Sequence, residues 1–180
     1  EVQIPVISAY RIVDPSLAEE IVSSGKADFV GMVRALIADP EFPNKAKKGQ
    51  VKEIRRCIAC CHCLDVAITF ESLTCSINAS VGKELEPIKP VSQSRHILVI
   101  GGGPSGMEAA RIAAMRGHNV TLCEQNRRLG GLMVLGSVLN RELAPFLNWL
   151  KRQVGNLPVD IRTKTKATSA SLQEMRPDVV

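Results

Sequence analysis

The stretch HILVIGGGPSGMEAARIAAMRGHNVTLCEQN, residues 96–126, carries the clearest architectural signal in the chain. Ile97–Ile100 is an apolar run of strand length that feeds into Gly101, Gly103 and Gly106 at the spacing G-x-G-x-x-G, with Pro104 and Ser105 inside the turn. Ala109, Ala110, Ile112, Ala113 and Ala114 give the following helix a low-relief face that packs close to a sheet. Gly117 ends that helix, and HNVTLCE (118–124) reads as a second strand finishing on Glu124, with Gln125 behind it. Glycines let the backbone approach a pyrophosphate, whose charge is met by a helix N-terminus. A carboxylate after the second strand accepts hydrogen bonds from ribose hydroxyls. An isolated G-x-G-x-x-G is weak evidence, because glycine turns also occur in α/β domains that bind no nucleotide. Here strand, turn, alanine-rich helix, second strand and acidic residue stand together, which points to a bound dinucleotide. Glu124, rather than a basic residue, favours an unphosphorylated ribose, as in FAD or NAD, over NADP.

Just beyond lies RRLGG (127–131). Arg127 and Arg128 read as a solvated basic pair on their own, but Gly130-Gly131 suggests backbone close to a ligand, so Arg128, Gly130 and Gly131 join the candidate set. RELAPFLNWLKRQV (141–154) predicts an amphipathic helix with Leu143, Phe146, Leu147 and Leu150 on its apolar face and Trp149 as a packing residue. RPDVV (176–180) reads as the start of another strand. With a first residue other than Met, this reads as an internal piece of a longer polypeptide.

Upstream, residues 1–56 read as β-α-β-α. QIPVISA (3–9) predicts a buried strand; Asp14 caps a helix with Pro15 at its first position, Gly25 ends it, and Leu17, Ala18, Ile21 and Val22 form its apolar face. ADFVGMV (27–33) predicts a second strand, apolar on both faces as in a parallel sheet covered by helices. FPNKAKKG (42–49) predicts a short basic helix. Two parallel strands are too few for independent stability, so this region belongs with a larger α/β layer or barrel.

Between the two α/β regions, residues 57–82 show no periodicity and hold a cysteine cluster, and KELEPIKPVSQSR (83–95) reads as a linker. Cys57, Cys60, Cys63 and Cys75 give C-x2-C-x2-C-x11-C. Three thiolates at such intervals fold around one face of a compact inorganic cluster, and a distant fourth closes the site. A structural zinc site more often shows two separated C-x2-C pairs, and a redox dithiol leaves Cys63 and Cys75 without a role. An irregular alternative uses Cys61, or His62 in place of a thiolate. The repeated two-residue spacing favours Cys60, which leaves Cys61 and His62 as neighbours of the site. Cys123, inside a strand, reads as a buried small hydrophobe.

The composition narrows the setting. The chain has 180 residues and no apolar run near the ~18 needed to span a bilayer. No signal peptide opens it, so with a thiol cluster a reducing cytoplasm is expected and disulfides are not. The net charge of +5 is spread out and aromatic residues make up 3%, which argues against a nucleic-acid surface. Asn78-Ala79-Ser80 matches a glycosylation sequon, which has no force in the cytoplasm.

GKADFVGMVRALIADPEF (25–42), IRRCIACCHCLD (54–65), TCSINASVGKE (74–84) and the long stretch 97–131 together resemble the iron–sulfur flavoenzymes related to old yellow enzyme: 2,4-dienoyl-CoA reductase, trimethylamine and histamine dehydrogenases, and enoate reductases. The resemblance covers most of residues 3–131 and continues more loosely to the end. It implies an α/β architecture in three parts. Residues 1–56 are the last two β-α units of a (β/α)8 barrel that holds FMN, 57–82 are a [4Fe–4S] segment, and 96–180, after the linker, begin a Rossmann-like FAD/NAD-binding domain that takes FAD or ADP. Arg34 matches the family arginine near the FMN phosphate, and Arg11 stands at a second such position. The family often has glycine before each of these arginines, where this chain has Val33 and Tyr10, and often Asn where this chain has Cys61.

The resemblance further implies an electron relay. NAD(P)H delivers hydride to FAD, single electrons cross the cluster, and FMN reduces an activated C=C bond of a small substrate. In the alternative, an amine dehydrogenase runs the relay toward an external electron carrier. A zinc-stabilised nucleotide module without redox role is a reading from another class. No catalytic residue falls within the chain, since the family's substrate-activating residues lie on earlier barrel strands. The 180 residues alone are therefore expected to be inactive, and the full-length protein to be a homo-oligomer.

Overall fold

The computed structural model describes residues 2–180, which divide into two compact units, Glu1–Leu85 and Glu86–Val180. In the first, strand β1 (Ile7–Ala9) leads to helix α1 (Pro15–Ser23), strand β2 (Phe29–Gly31) and the short helices α2 (Arg34–Ala38) and α3 (Phe42–Lys47). A 3-10 turn at Val51–Glu53 precedes the cysteine segment, within which α4 spans His62–Ile68. The expected helix signals hold at α1, where the Asp14 carboxylate accepts from the Ser16 N–H at 2.9 Å and Pro15 takes the first position.

The strands β1 and β2 pair in parallel, Ile7 opposite Phe29 and Ala9 opposite Gly31. They are shorter than the sequence predicts, and the expectation of burial on both faces is not met: Ile7 is 65% exposed and Phe29 57%. A two-stranded parallel sheet has too little surface to cover both faces with its own helices. The core of this unit lies instead beneath α2 and α3, where Val13, Ala35, Phe42 and Ile54 pack together.

The helices α2 and α4 are additions to the sequence reading. The first is only five residues long, and the second begins after Cys61 in a left-handed conformation (φ 61°) with no capping side chain, so neither carries a start signal.

The second unit is a parallel sheet with helices. Strand β3 (His96–Ile100), helix α5 (Pro104–Met115) and strand β4 (Asn119–Glu124) follow the expected pattern. Helices α6 (Met133–Leu139) and α7 (Leu143–Gly155), strand β5 (Val159–Thr163) and helix α8 (Ser169–Met175) complete it. The strand order is β3-β4-β5, all parallel, and Val179 bridges to Ile97 on the free side of β3. The predicted amphipathic helix is α7, which buries Phe146, Leu147, Trp149 and Leu150. Trp149 is indeed packing: it stacks on Phe146 at 5.9 Å, and the Arg111 guanidinium of α5, held by Glu108 at 2.7 Å, lies over its ring. Among the described residues no helix is long and apolar enough to cross a membrane.

The close approach of α5 to β3 depends on Gly106, where a Cβ would fall inside the van der Waals envelope of the Gly101 carbonyl oxygen. Backbone cannot yield as a side-chain tip does, so Gly106→Ala should lower stability by at least ~3 kcal/mol. Urea unfolding of the intact protein checks this; a loss below ~1 kcal/mol would show that the turn is looser than described.

Candidate functional site

Two sites emerge, one in each unit. In the second, a cleft of about 1130 Å³ opens at the C-terminal ends of β3 and β4. Of the residues singled out from sequence, Gly101, Glu124, Gln125, Arg128 and Gly131 line it. Gly103 precedes α5 in extended conformation, Pro104 and Ser105 open that helix, and Gly106 packs behind it. Gly130 is tied to the turn, its N–H donating to the Gly102 carbonyl at 2.7 Å. The loop after β5 adds Thr165 and Lys166 to the wall. Sequence gave no sign of these two, because their place depends on β5 pairing with β4.

Glu124 has a second task beyond the one expected of it. It is 5% exposed, and its Oε2 accepts from the Gly102 N–H at 2.8 Å. Oε1 accepts from the backbone N–H and the side-chain amide of Asn126, both at 2.7 Å. Three of roughly four lone-pair directions are thus occupied, which leaves room for one ribose hydroxyl. Gly102, absent from the sequence-derived set, is also constrained: a Cβ there would meet the Leu129 side chain and come within 3.0 Å of the Glu124 Cβ.

The Asn126 N–H, first, and then the Gly102 N–H and the Asn126 amide hold the Glu124 carboxyl below its ordinary range, against the opposing effect of burial. A depressed carboxylate contributes stability that is present above its unfolded pKa, about 4.3, and is lost as pH falls through the folded value. Glu124→Gln should therefore cost about 1–3 kcal/mol at pH 7. The gap from the parent should close as the pH drops below the unfolded value. Unfolding curves of both proteins between pH 7 and pH 3 check this, and a pH-independent difference would refute it.

In the first unit the structure brings the four selected thiols into one neighbourhood. Cys57 lies within electrostatic reach of Cys63 and Cys75, and Cys63 within reach of Cys60 and Cys75. Burial is the main cause pushing the Cys57 and Cys63 thiols up; at Cys57 the Ala59 N–H and the Arg34 charge oppose it. Cys61 meets Arg34, its Sγ 3.4 Å from Nη1. His62 is engaged as well, with Nε2 2.9 Å from the Thr74 hydroxyl. Cys123 is buried in β4, as expected.

Among the described residues no three His, Cys, Asp or Glu side chains converge on one point where a single ion would sit. A tetrahedral zinc site needs Zn–S distances of about 2.3 Å and so packs its thiolates tightly together. A polynuclear cluster gives each thiolate a metal atom of its own and spaces them farther apart. The residues that would hold such a cluster are Cys57, Cys60, Cys63 and Cys75, whose soft thiolate donors suit iron–sulfur ligation.

Arg34 opens α2 beside this site. Its guanidinium lies 5.7 Å from the centre of the Tyr10 ring and so is held between that ring and Cys61. Tyr10, where the resembled family often has glycine, has φ 95°, and Arg11 has φ 53°. The backbone keeps the conformation glycine would take, and the ring that replaces it lies against the arginine. Both arginines follow the C-terminal ends of the paired strands β1 and β2.

Comparison with known proteins finds a match for each of the two units. Residues 1–53 match the NADH:flavin oxidoreductase / NADH oxidase family, and residues 96–177 match FAD dependent oxidoreductases. A metal reductase of Desulforamulus reducens is 43% identical over 95% of this chain and 26% of its own length. The structure of a 2-naphthoyl-CoA reductase superposes with a TM-score of 0.90 at 35% identity, covering 99% of this chain and 28% of that one. Histamine dehydrogenase from Rhizobium sp. 4-9 gives a TM-score of 0.90 at 28% identity, covering 97% of this chain and 27% of that one. The chain thus spans about a quarter of the length of these relatives, and it belongs to the NADH:flavin oxidoreductase family.

Proposed function

We propose that this chain is a segment of an oxidoreductase using FMN, a [4Fe–4S] cluster and FAD or ADP, which passes electrons between NAD(P)H or an external carrier and a small organic substrate. Residues 1–56 supply the last two β-α units of a (β/α)8 barrel, 57–82 the cluster ligands, 83–95 a linker, and 96–180 the start of a Rossmann-like domain. The observation that carries the reading is the gathering of Cys57, Cys60, Cys63 and Cys75 in one neighbourhood beside Arg34. The sheet order supports the last domain: β5-β4-β3 followed by Val179 is the third-second-first-fourth arrangement of a doubly wound nucleotide fold.

When bound, the flavins and the cluster supply hydride and single-electron transfer. The residues of the chain bind and orient. Arg34, held between Tyr10 and Cys61, presents a fixed positive charge to the FMN phosphate, with Arg11 at the end of the neighbouring strand. The four cysteines bind as thiolates, so each gives up its proton when the cluster is installed. The N-terminus of the twelve-residue helix α5 faces the pyrophosphate, and the free lone pair of Glu124 takes a ribose hydroxyl. Gln125, Arg128 and Gly131 would border the same nucleotide, with Gly130 tied to the turn behind them.

The favoured reaction is reduction of an activated C=C bond, in line with the match to a reductase of an aromatic acyl-CoA. The equal structural match to histamine dehydrogenase favours amine oxidation as the second reading. Anaerobic titration of the intact flavoprotein separates them. NADH should bleach the flavin and an enoate or enoyl thioester restore it; reduction of the flavin by an amine without NADH would select the second reading.

Iron and sulfide should be found at four each per chain, with broad visible absorption. Cys75→Ser should lose this signal, and Cys61→Ser should keep it. A colourless, zinc-loaded protein would overturn the redox reading.

A further inference from the structure

We propose that Asn78 is a positioning residue for the fourth cluster thiolate, fixing the Cys75 arm to the same short helix that fixes the Cys57 arm. This rests on the cluster reading given above. Asn78 is 2% exposed and uses both ends of its amide. Its Nδ2 donates to the Ile37 carbonyl at 2.8 Å, and its Oδ1 accepts from the Ser80 N–H at 3.1 Å. Its backbone pairs with that of Cys75 in an antiparallel bridge, so wherever the amide is held, the cysteine backbone is held with it.

The acceptor of that amide is not incidental. The last four carbonyls of a helix have no partner within it, and α2 offers those of Ile37 and Ala38 to the two arms of the cysteine segment. Asn78 takes the first. Arg55, two residues before Cys57, takes the second through its Nε at 2.7 Å, while its backbone N–H donates to the buried Asp39 carboxylate at 2.8 Å. At the other end of the helix Arg34 reaches Cys61. One helix of five residues thus touches the cysteine segment at three places.

The remaining polar ties of the Cys75 arm are more exposed than the Asn78 amide, and buried Ile77 adds apolar packing beside it. His62 meets Thr74 at 2.9 Å and Cys60 meets Ser76 at 3.5 Å, and all four residues are exposed to solvent. With the Asn78 amide removed, Cys75 should remain near the cluster without being held to it, which weakens one iron–thiolate bond out of four.

The test uses the intact flavoprotein and Asn78→Asp. This variant is nearly isosteric and keeps the acceptor for Ser80, but it loses the donor to Ile37. It should hold flavin at the parent level while iron falls from four toward three per chain, with a three-iron electron paramagnetic resonance signal in the oxidised state. On one-electron oxidation by ferricyanide it should release Fe2+ about tenfold faster than the parent, in the range typical for groups that orient a metal ligand.

Asn78→Ser, neutral and too short to reach Ile37, is measured in parallel on the folded fraction from gel filtration, so that a failure of one variant to fold does not decide the matter. Four irons in either folded variant, released at the parental rate, would overturn the proposal. So would joint loss of flavin and iron in both variants, which marks general unfolding. A parent protein without iron and sulfide would instead remove the cluster reading itself.

Discussion

Glu124 and Asp39 each bury a carboxylate, and a charge taken out of water must recover its lost hydration from nearby donors. In both cases the donors are mainly backbone N–H groups from segments that are otherwise irregular. Glu124 takes those of Gly102 and Asn126. Asp39 takes those of Glu41 and Arg55, together with the Lys45 ammonium at 2.7 Å. The glycine turn has few apolar side chains of its own to pin it, and the approach to the cysteines is pinned by Ile54 in the core and by Asp39. Each is gathered around one anion, and the geometry of each site follows from where that anion stands.

This arrangement changes how the acidic residue after β4 is understood. An acid at that position is ordinarily read as a reader of the ribose. Here it closes the glycine turn, so the ribose contact proposed for it and its structural role would share one carboxylate. Leu129, packed over Gly102, and Gly130, bonded to the Gly102 carbonyl, complete the same closure from the far side. The two glycine clusters of the sequence, 101–106 and 130–131, are therefore halves of one small construction.

Much of this was legible in the residues. The β3-α5-β4 unit, the capped helix α1 and the packing role of Trp149 all have local signatures: a glycine spacing, an Asp-Pro start, an amphipathic period. Most of what escaped notice has none, helix α8 with its Thr168 capping box being the exception. Helix α6 is apolar nearly all round and lacks caps, β5 is placed only by its pairing with β4, and α2 is too short to show a period. Tyr10 reads as bulk where glycine is expected, and only the fold shows its ring laid against Arg34. Asn78 reads as an idle sequon, and its use depends on a carbonyl 41 positions away. Contacts between distant segments are the part of a structure that local pattern cannot express.

The anchors of the cysteine segment also bear on the order in which the chain comes into being. Asp39, Arg55, Asn78 and all four clustered thiols lie between residues 39 and 78, wholly ahead of the second unit. Translation at roughly 5–20 residues per second takes several seconds to make the hundred or so residues that follow. Every residue that gathers the thiols is therefore translated before the second unit begins.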